Sequence, residues 1–125
     1  MTDFARLMSD YFVKYLAGQK GSGSNTMKTY RDTFVQLLEF MDEKKHIRAD
    51  CIEVDSFSYD IINEFLEYLE KEKRVSISTR NNRLAAIRSF FKYTGYHEPK
   101  YLNISTSIRE ISKKKTEGRQ MNYLS

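Results

Sequence analysis

Residues 73–97 read KRVSISTRNNRLAAIRSFFKYTGYH, and this stretch contains six Lys and Arg residues but no Asp or Glu. Its apolar side chains recur at spacings of three and four, which is typical of an amphipathic helix. On a helical wheel the apolar sector holds Leu84, Ile87, Phe90 and Phe91. Another side of the wheel holds Asn81, Ala85, Arg88 and Lys92, with Asn82 and Ser89 beyond them. The stretch therefore predicts a helix, capped by Ser78 and ended by Gly95, with a packed back and a polar, basic front.

The N-terminal part of the chain predicts a first helix followed by a flexible connector. Apolar residues recur at helical spacing from Phe4 to Leu16, and Thr2 or Asp3 offers a capping side chain. We expect this helix to end near Gly18, because the segment GQKGSGS that begins there is rich in Gly and Ser.

Two more helices are predicted before the basic one. Residues 24–26 offer capping side chains for a strongly periodic second helix that reaches about Glu43. The polar segment KKHIRADCIEV reads as a loop with room for a short extended piece. Ser56 or Ser58 then opens a third helix, whose acidic residues near its start also suit the helix dipole.

The remaining sequence completes an all-α pattern. Pro99, the only proline, falls in a connection, and a weaker, shorter helix is expected around Thr106 to Ser112. No stretch alternates convincingly with period two, so strands should be few or absent. The fold class is therefore predicted as all-α, a bundle of four main helices with a fifth short helix near the C-terminus.

Length and composition bound the kind of protein. A chain of 125 residues, 40% of them hydrophobic, suffices for one compact domain with a real core. No apolar run approaches the roughly 18 to 20 residues of a membrane span, and the N-terminus lacks the pattern of a secretory signal. The single cysteine, Cys51, has no partner for a disulfide or a zinc site, so we expect an intracellular, cytoplasmic protein.

The charge is segregated along the chain. Residues 39–72 carry a net charge of −7, whereas residues 73–97 carry +6 and residues 98–125 carry +3. Such a field favours the approach of a polyanion to one side of the molecule. The alternative interpretation of the basic residues is a solvated surface that balances the acidic third helix.

The first turn of the basic helix has the chemistry of a phosphate site. Unpaired backbone N–H groups and the positive end of the helix dipole favour an anion there. Ser78 and Thr79 add hydroxyl groups, while Arg80 and Arg83 add positive charge. Asn82 and Arg83 are also residue types that read adenine and guanine edges in a major groove.

The second helix presents a similar polar front. Opposite its apolar sector lie Asn25, Lys28, Asp32, Gln36 and Glu39, with Thr29 at the edge. Asn25, Lys28, Thr29 and Gln36 could touch DNA, whereas the two acidic residues would have to sit away from phosphates. An ordinary solvated helix face is the alternative for these residues.

Two segments resemble a known family. SNTMKTYRDTFVQLLEFM, at residues 24–41, is similar to one helix of the N-terminal core-binding domain of tyrosine recombinases, the phage integrase and Xer-like family. ISTRNNRLAAIRSFFKY, at residues 77–93, is similar to another helix of that domain. The order and spacing of the two motifs match the family, and the resemblance extends from about Asp10 to the end of the chain.

The resemblance implies a SAM-like helical bundle that forms one half of a clamp around double-stranded DNA. It places the second and fourth helices against the major groove. It assigns DNA contacts to Thr26, Lys28, Thr29, Ser78, Thr79, Arg80, Asn82 and Arg83. Asn81 and Arg88 also match the motif and could instead be structural. Other recombinase protomers are implied as partners of the full-length protein, and no cofactor, membrane or small-molecule substrate is implied.

The same family cuts DNA with a tyrosine nucleophile and a His-x-x-Arg pair in a second domain. Neither His46 nor His97 starts such a pair, and neither lies in a metal motif, so we expect no catalytic residues and no metal site here. Residues 1–112 are predicted to form the core-binding domain, and residues 113–125 a linker toward a catalytic domain. On this interpretation the chain is a fragment or truncated form of a recombinase and is not itself an enzyme.

A second hypothesis is a small helical module that binds another protein through Phe, Tyr and Met side chains. It predicts an exposed apolar patch and association that is insensitive to salt. A self-contained enzyme has almost no support in the sequence, because no nucleophile, metal or phosphate-loop constellation is present.

Overall fold

The structure, a computed structural model, describes residues 2–16 and 24–115 of the chain, with the backbone alone at Leu16 and Ser24. The described part contains five α-helices and no β-strand, so the predicted all-α class is confirmed. The helices are α1 (Asp3–Asp10), α2 (Ser24–Lys45), α3 (Tyr59–Lys71), α4 (Ile77–His97) and α5 (Leu102–Arg109). A π-helical segment, Tyr11–Leu16, continues α1, and short 3-10 turns lie at Ala49–Cys51, Val54–Ser56 and Pro99–Tyr101.

Helix α4 is the centre of the bundle, because α2, α3 and α5 all pack against it. The four apolar residues of its predicted inner face, Leu84, Ile87, Phe90 and Phe91, are completely buried. The Phe90 ring lies edge-on to Phe4 of α1, Tyr11 of the π-helical segment and Phe34 of α2. This aromatic cluster fixes the positions of α1 and α2 relative to α4, and thereby the polar face that these helices turn to solvent.

Two predicted helix caps are confirmed. The Thr2 hydroxyl accepts a hydrogen bond of 3.1 Å from the Ala5 N–H at the start of α1. The Ser58 hydroxyl accepts one of 3.2 Å from the Ile61 N–H at the start of α3. Each bond satisfies a backbone donor that has no partner inside the helix.

Both boundaries of α4 differ from the prediction. The cap is Ser76, whose hydroxyl accepts from the Thr79 N–H at 3.1 Å, so Ser78 lies within the first turn. Gly95 does not end the helix, which continues to His97. A Cβ atom at Gly95 would come within 2.6 Å of the Ser105 Cβ atom, so this glycine permits the close approach of α5.

Other boundaries moved by smaller amounts. Helix α2 reaches Lys45, two residues past the predicted end, and α5 spans Leu102–Arg109 instead of Thr106 to Ser112. The predicted loop after α2 contains two 3-10 turns and no extended strand. The predicted end of the first helix at Gly18 and the connector GQKGSGS lie outside the described residues. None of the described helices is both long and apolar enough to cross a bilayer.

The π-helical segment directs the Tyr11 side chain into the core. Its phenol oxygen lies 2.7 Å from the Ser89 hydroxyl on α4. Burial raises the pKa of Tyr11 far above its ordinary value, against the opposing effect of the Ser89 hydrogen bond. The folded protein therefore keeps this proton at pH values where the unfolded chain releases it.

We expect the stability of the protein to fall at high pH because of Tyr11. An unfolded tyrosine ionises near pH 10, so the free energy of unfolding should drop above that pH by up to about 1.4 kcal/mol per pH unit. Tyr11→Phe should be less stable at neutral pH, because it lacks the Ser89 contact, but should show a flatter decline. Urea unfolding at about pH 8 and pH 11 tests this difference. Parallel declines in the two proteins would contradict it.

Candidate nucleic-acid interface

The N-terminal halves of α2 and α4 lie side by side. The Arg83 guanidinium on α4 joins them, because Nη1 donates to the Thr29 carbonyl oxygen at 3.2 Å and to Thr33 Oγ1 at 3.3 Å. A groove without charged side chains among the described residues runs between the two helices, and we call it the neutral groove; it is lined by Asn25, Thr26, Thr29, Tyr30, Asn82 and Ala85. The two helix starts selected from the sequence therefore share one face of the molecule.

A second groove continues from the first and is strongly basic. The two grooves share Tyr30 and Ala85 in their walls. We call the second one the cationic groove; it is lined by Tyr15, Tyr30, Ala85, Arg88, Ser89, Lys92, Arg109 and Lys113. Among the residues that the structure describes, its walls contain four cations and no carboxylate. Within the described residues, no ion pair engages any of these four cations.

The residues predicted to contact DNA occupy three kinds of position. Thr26, Thr29 and Asn82 line the neutral groove. Lys28 and Ser78 are exposed, and Thr79 is half-buried and accepts a hydrogen bond from the Ser76 hydroxyl. Arg83 is half-buried between α2 and α4, where it has the bridging contacts described above.

Arg80 is buried, with only 5% of its surface exposed. Its Nη1 atom donates to the Ser112 carbonyl oxygen at 3.0 Å, and its Nε atom lies 3.7 Å from a Glu70 carboxylate oxygen. Burial lowers the pKa of Arg80, and the Glu70 carboxylate acts in the opposite direction. The Arg80 side chain is thus engaged by protein groups, and the DNA contact expected there stays a prediction.

The cations at the two helix starts and those farther along α4 differ in their carboxylate neighbours. Lys28, at the start of α2, pairs with Asp32 at 3.1 Å, and Arg80, at the start of α4, faces Glu70. Carboxylates thus neutralise one cation at each helix start. Arg88 and Lys92, one and two turns beyond Ala85, have no carboxylate partner among the described residues.

Sequence reasoning identified part of the cationic groove and missed the rest. The helical wheel placed Arg88 and Lys92 together on the polar front of α4, which the structure confirms. Arg109 and Lys113 were missed, since they come from α5 and the segment after it. Their spacing of four residues in a basic segment was the available signal, but only packing of α5 on α4 brings them to Arg88.

Acidic side chains are concentrated elsewhere. Asp60, Glu64 and Glu67 are exposed on α3, where Glu64 pairs with Lys45 at the far end of α2. Among residues 2–16 and 24–115, no cluster of His, Cys, Asp or Glu is arranged to hold a metal ion. The charge separation seen in the sequence is therefore preserved in space, with the cationic groove free of acidic neighbours in its walls.

Comparison with known families identifies the domain. Residues 10–100 match the family described as the phage integrase N-terminal SAM-like domain. The chain belongs to this family. The resemblance inferred from the two helix motifs is thus confirmed for the larger part of the sequence, including α2 and α4.

Curated relatives of this integrase-family domain are recombinases by name. This chain is 30% identical over 120 residues to y4rC and 32% identical over 107 residues to y4rD. Both are Sinorhizobium fredii proteins named as putative integrases or recombinases. These matches cover 96% and 86% of this chain but 36% and 38% of the relatives.

The Xer recombinases are also related. The tyrosine recombinase XerC of Herpetosiphon aurantiacus is 36% identical over 84 residues, which are 67% of this chain and 26% of that protein. The chain thus spans well under half the length of each of these relatives. No solved structure matches it significantly.

Proposed function

We propose that this chain is the DNA-binding N-terminal domain of a tyrosine-type site-specific recombinase, and that it grips duplex DNA at a recombination half-site with the face formed by α2 and α4. The observation that carries the proposal is the cationic groove, in which Arg88, Lys92, Arg109 and Lys113 converge without a carboxylate partner in the described residues. Family membership and the recombinase relatives support the same partner.

The two grooves suit different parts of a nucleic acid. Four unpaired cations fit the phosphate backbone, which supplies most of the affinity in such complexes. The neutral groove offers hydroxyl and amide groups and the small Ala85, and an exposed Asn82 amide can pair with an adenine edge. We therefore assign phosphate contacts to the cationic groove and sugar or base contacts to Thr26, Thr29 and Asn82.

We assign the other residues predicted to contact DNA to two groups, one that can reach a ligand and one that holds the helices together. Lys28, Ser78 and Thr79 lie on the same two helices as the neutral groove, and Lys28 could exchange its exposed Asp32 partner for a phosphate. Exposed ion pairs of this kind contribute little, so the exchange costs little. We assign Arg80 and Arg83 to holding the helices in place, because the guanidinium of each is engaged by protein groups.

We also propose that the whole protein is a site-specific recombinase, the activity for which its relatives are named. One half of a clamp would then come from this domain, and DNA cleavage, the second half of the clamp and contacts between protomers would come from the rest of the protein. A cytoplasmic location fits a DNA substrate of this kind. The rival hypothesis is a protein-interaction module, and the exposed large apolar residues of the described part, Val13, Val35, Tyr59, Tyr96 and Leu102, lie on five different elements. One of them, Val35, lines a groove together with Leu38 and Ala49, whereas the cationic groove combines four cations with family membership in favour of DNA.

The test is a titration of labelled duplex DNA at two or more salt concentrations. With about four phosphate contacts, the logarithm of the binding constant should fall with the logarithm of salt concentration at a slope near −3.6. The double variant Arg88→Ala, Lys92→Ala removes two contacts, so we expect weaker binding and a slope near −1.8.

A matched control separates the effect of the cationic groove on DNA binding from the effect of net charge. Lys44→Ala, Lys45→Ala removes the same amount of charge at the other end of α2, about 24 Å from Lys28 along the helix axis. This control should keep the wild-type slope. Equal losses in both double variants would indicate a diffuse electrostatic effect, and unchanged binding in the groove variant would overturn the proposed interface.

A further inference from the structure

The segment after α5 is fastened to the first turn of α4 by the side chain of Asn81. The Asn81 amide nitrogen donates to the Lys114 carbonyl oxygen at 2.7 Å, and its amide oxygen accepts from the Lys114 N–H at 2.9 Å. One amide side chain thus satisfies both backbone polar groups of Lys114, as a neighbouring strand would. Asparagine carries the donor and the acceptor that this arrangement needs, whereas aspartate lacks the donor.

Two charged neighbours strengthen this attachment. Arg80 donates to the Ser112 carbonyl oxygen at 3.0 Å and to the Asn81 amide oxygen at 3.1 Å. The Lys114 ammonium group donates to both Glu70 carboxylate oxygens, at 2.9 and 3.2 Å, and Glu70 also faces Arg80. We call Glu70, Arg80 and Asn81 the exit lock, because they hold the backbone where it leaves α5.

The exit lock determines where Lys113 lies. Both neighbours of Lys113 are held, Ser112 through its carbonyl oxygen and Lys114 through its backbone and ammonium groups. The Lys114 side chain turns to Glu70, whereas Lys113 lines the cationic groove beside Arg88 and Arg109. The segment expected from the sequence to begin a linker therefore starts with residues that are fixed against α4.

We propose that Asn81 is a positioning residue, which holds Ser112–Lys114 against α4 and thereby keeps Lys113 in the cationic groove, where it contacts a DNA phosphate. The last step rests on the proposed function; the attachment itself does not. The adjacent residues Asn81 and Asn82 then have separate tasks. Asn81 binds the protein's own backbone, and the exposed Asn82 faces the ligand.

The attachment is tested without DNA by amide hydrogen exchange. The Lys114 N–H has the Asn81 side chain as its acceptor, so in Asn81→Ala it should exchange about threefold to tenfold faster, the value of one hydrogen bond. Alanine is a good helix former, and Asn81 is half-exposed, so the variant should fold. Unchanged exchange of the buried α4 amides checks that it does.

The neighbouring asparagine provides the matched control. Asn82→Ala makes the same chemical change one residue away and should leave the Lys114 exchange rate at the wild-type value. If Asn81→Ala also leaves that rate unchanged, the attachment is overturned. If both variants accelerate it equally, the effect belongs to the helix turn and the assignment to Asn81 is likewise overturned.

DNA titration then tests the positioning step. Lys113→Ala and Asn81→Ala should each reduce the magnitude of the salt slope by about 0.9, and the double variant should lose no more than either alone. Additive losses, or normal binding by Asn81→Ala, would overturn the role of Asn81 in placing Lys113. Failure of the wild-type chain to bind DNA, with the Lys114 amide still protected, would remove the proposed function and leave the exit lock standing.

Discussion

Phe90→Ala is expected to lower the free energy of unfolding by about 3–5 kcal/mol, the range for loss of a buried phenylalanine. Phe90 is completely buried, and its ring centroid lies 5.6 Å from that of Phe4, 5.5 Å from Tyr11 and 5.4 Å from Phe34. The substitution would therefore remove an aromatic contact that each of α1, the π-helical segment and α2 makes with α4. Since small domains are stable by only about 5–15 kcal/mol, this loss would leave a marginal fold.

Urea unfolding followed by circular dichroism measures this effect. Tyr96→Ala is the matched control, because Tyr96 is an aromatic residue of the same helix with 86% of its surface exposed. We expect the control to change the free energy of unfolding by no more than about 0.5 kcal/mol. Similar losses in the two variants would show that Phe90 is not the centre of the core.

Arg80→Ala is expected to destabilise the fold by about 2–4 kcal/mol. It would leave the Ser112 carbonyl oxygen without its charged donor and Glu70 without one of its two cations. Breaking a fully buried ion pair from one side costs about 3–5 kcal/mol. The lower range applies here because Glu70 is partly exposed and keeps Lys114 as a partner.

Arg88→Ala is the comparison variant that separates a role in stability from a role in DNA binding. Arg88 lies two turns farther along α4 and lines the cationic groove without a carboxylate partner in the described residues. Its removal should change stability by less than about 1 kcal/mol but reduce the magnitude of the salt slope of DNA binding by about 0.9. Arg80→Ala, measured where it remains folded, should affect the slope only through the position of Lys113, so in a Lys113→Ala background it should leave the slope unchanged. If Arg80→Ala lowered the slope in that background and Arg88→Ala left the slope unchanged, Arg80 would belong to the interface and Arg88 would not.

The contrast between these two arginines shows why the site was only partly predictable. On the sequence, Arg80 at a helix start is the stronger candidate for a phosphate contact, because hydroxyls and helix N–H groups surround it. Glu70, ten residues earlier, reaches it only because α3 packs beside α4. Lys28 differs from Arg80, because its partner Asp32 lies four residues later in the same helix and is visible in the sequence.

Local signals were sufficient where a residue's role depended on its own helix. The caps at Thr2 and Ser58 and the inner face of α4 follow from side-chain chemistry and helical periodicity, and all are confirmed. Local sequence signals did not predict the boundaries of α4, because the residues there allowed two interpretations. Ser76 and Ser78 are both capping residues, and Gly95 is both a typical helix terminator and a residue that lets another helix approach closely.

Periodicity, composition and the two helix motifs were sufficient to predict the all-α class, the family, the buried aromatic face and the polar front of α4, because these signals act along one helix at a time. Which cations of the described residues have no carboxylate partner depended on how the helices pack. That outcome depends on which carboxylates neighbouring helices bring within reach, and on the exit lock that carries Lys113 to Arg88. Electrostatic neutralisation acts through space over a few ångströms, so residues distant in sequence settle it after packing has placed them.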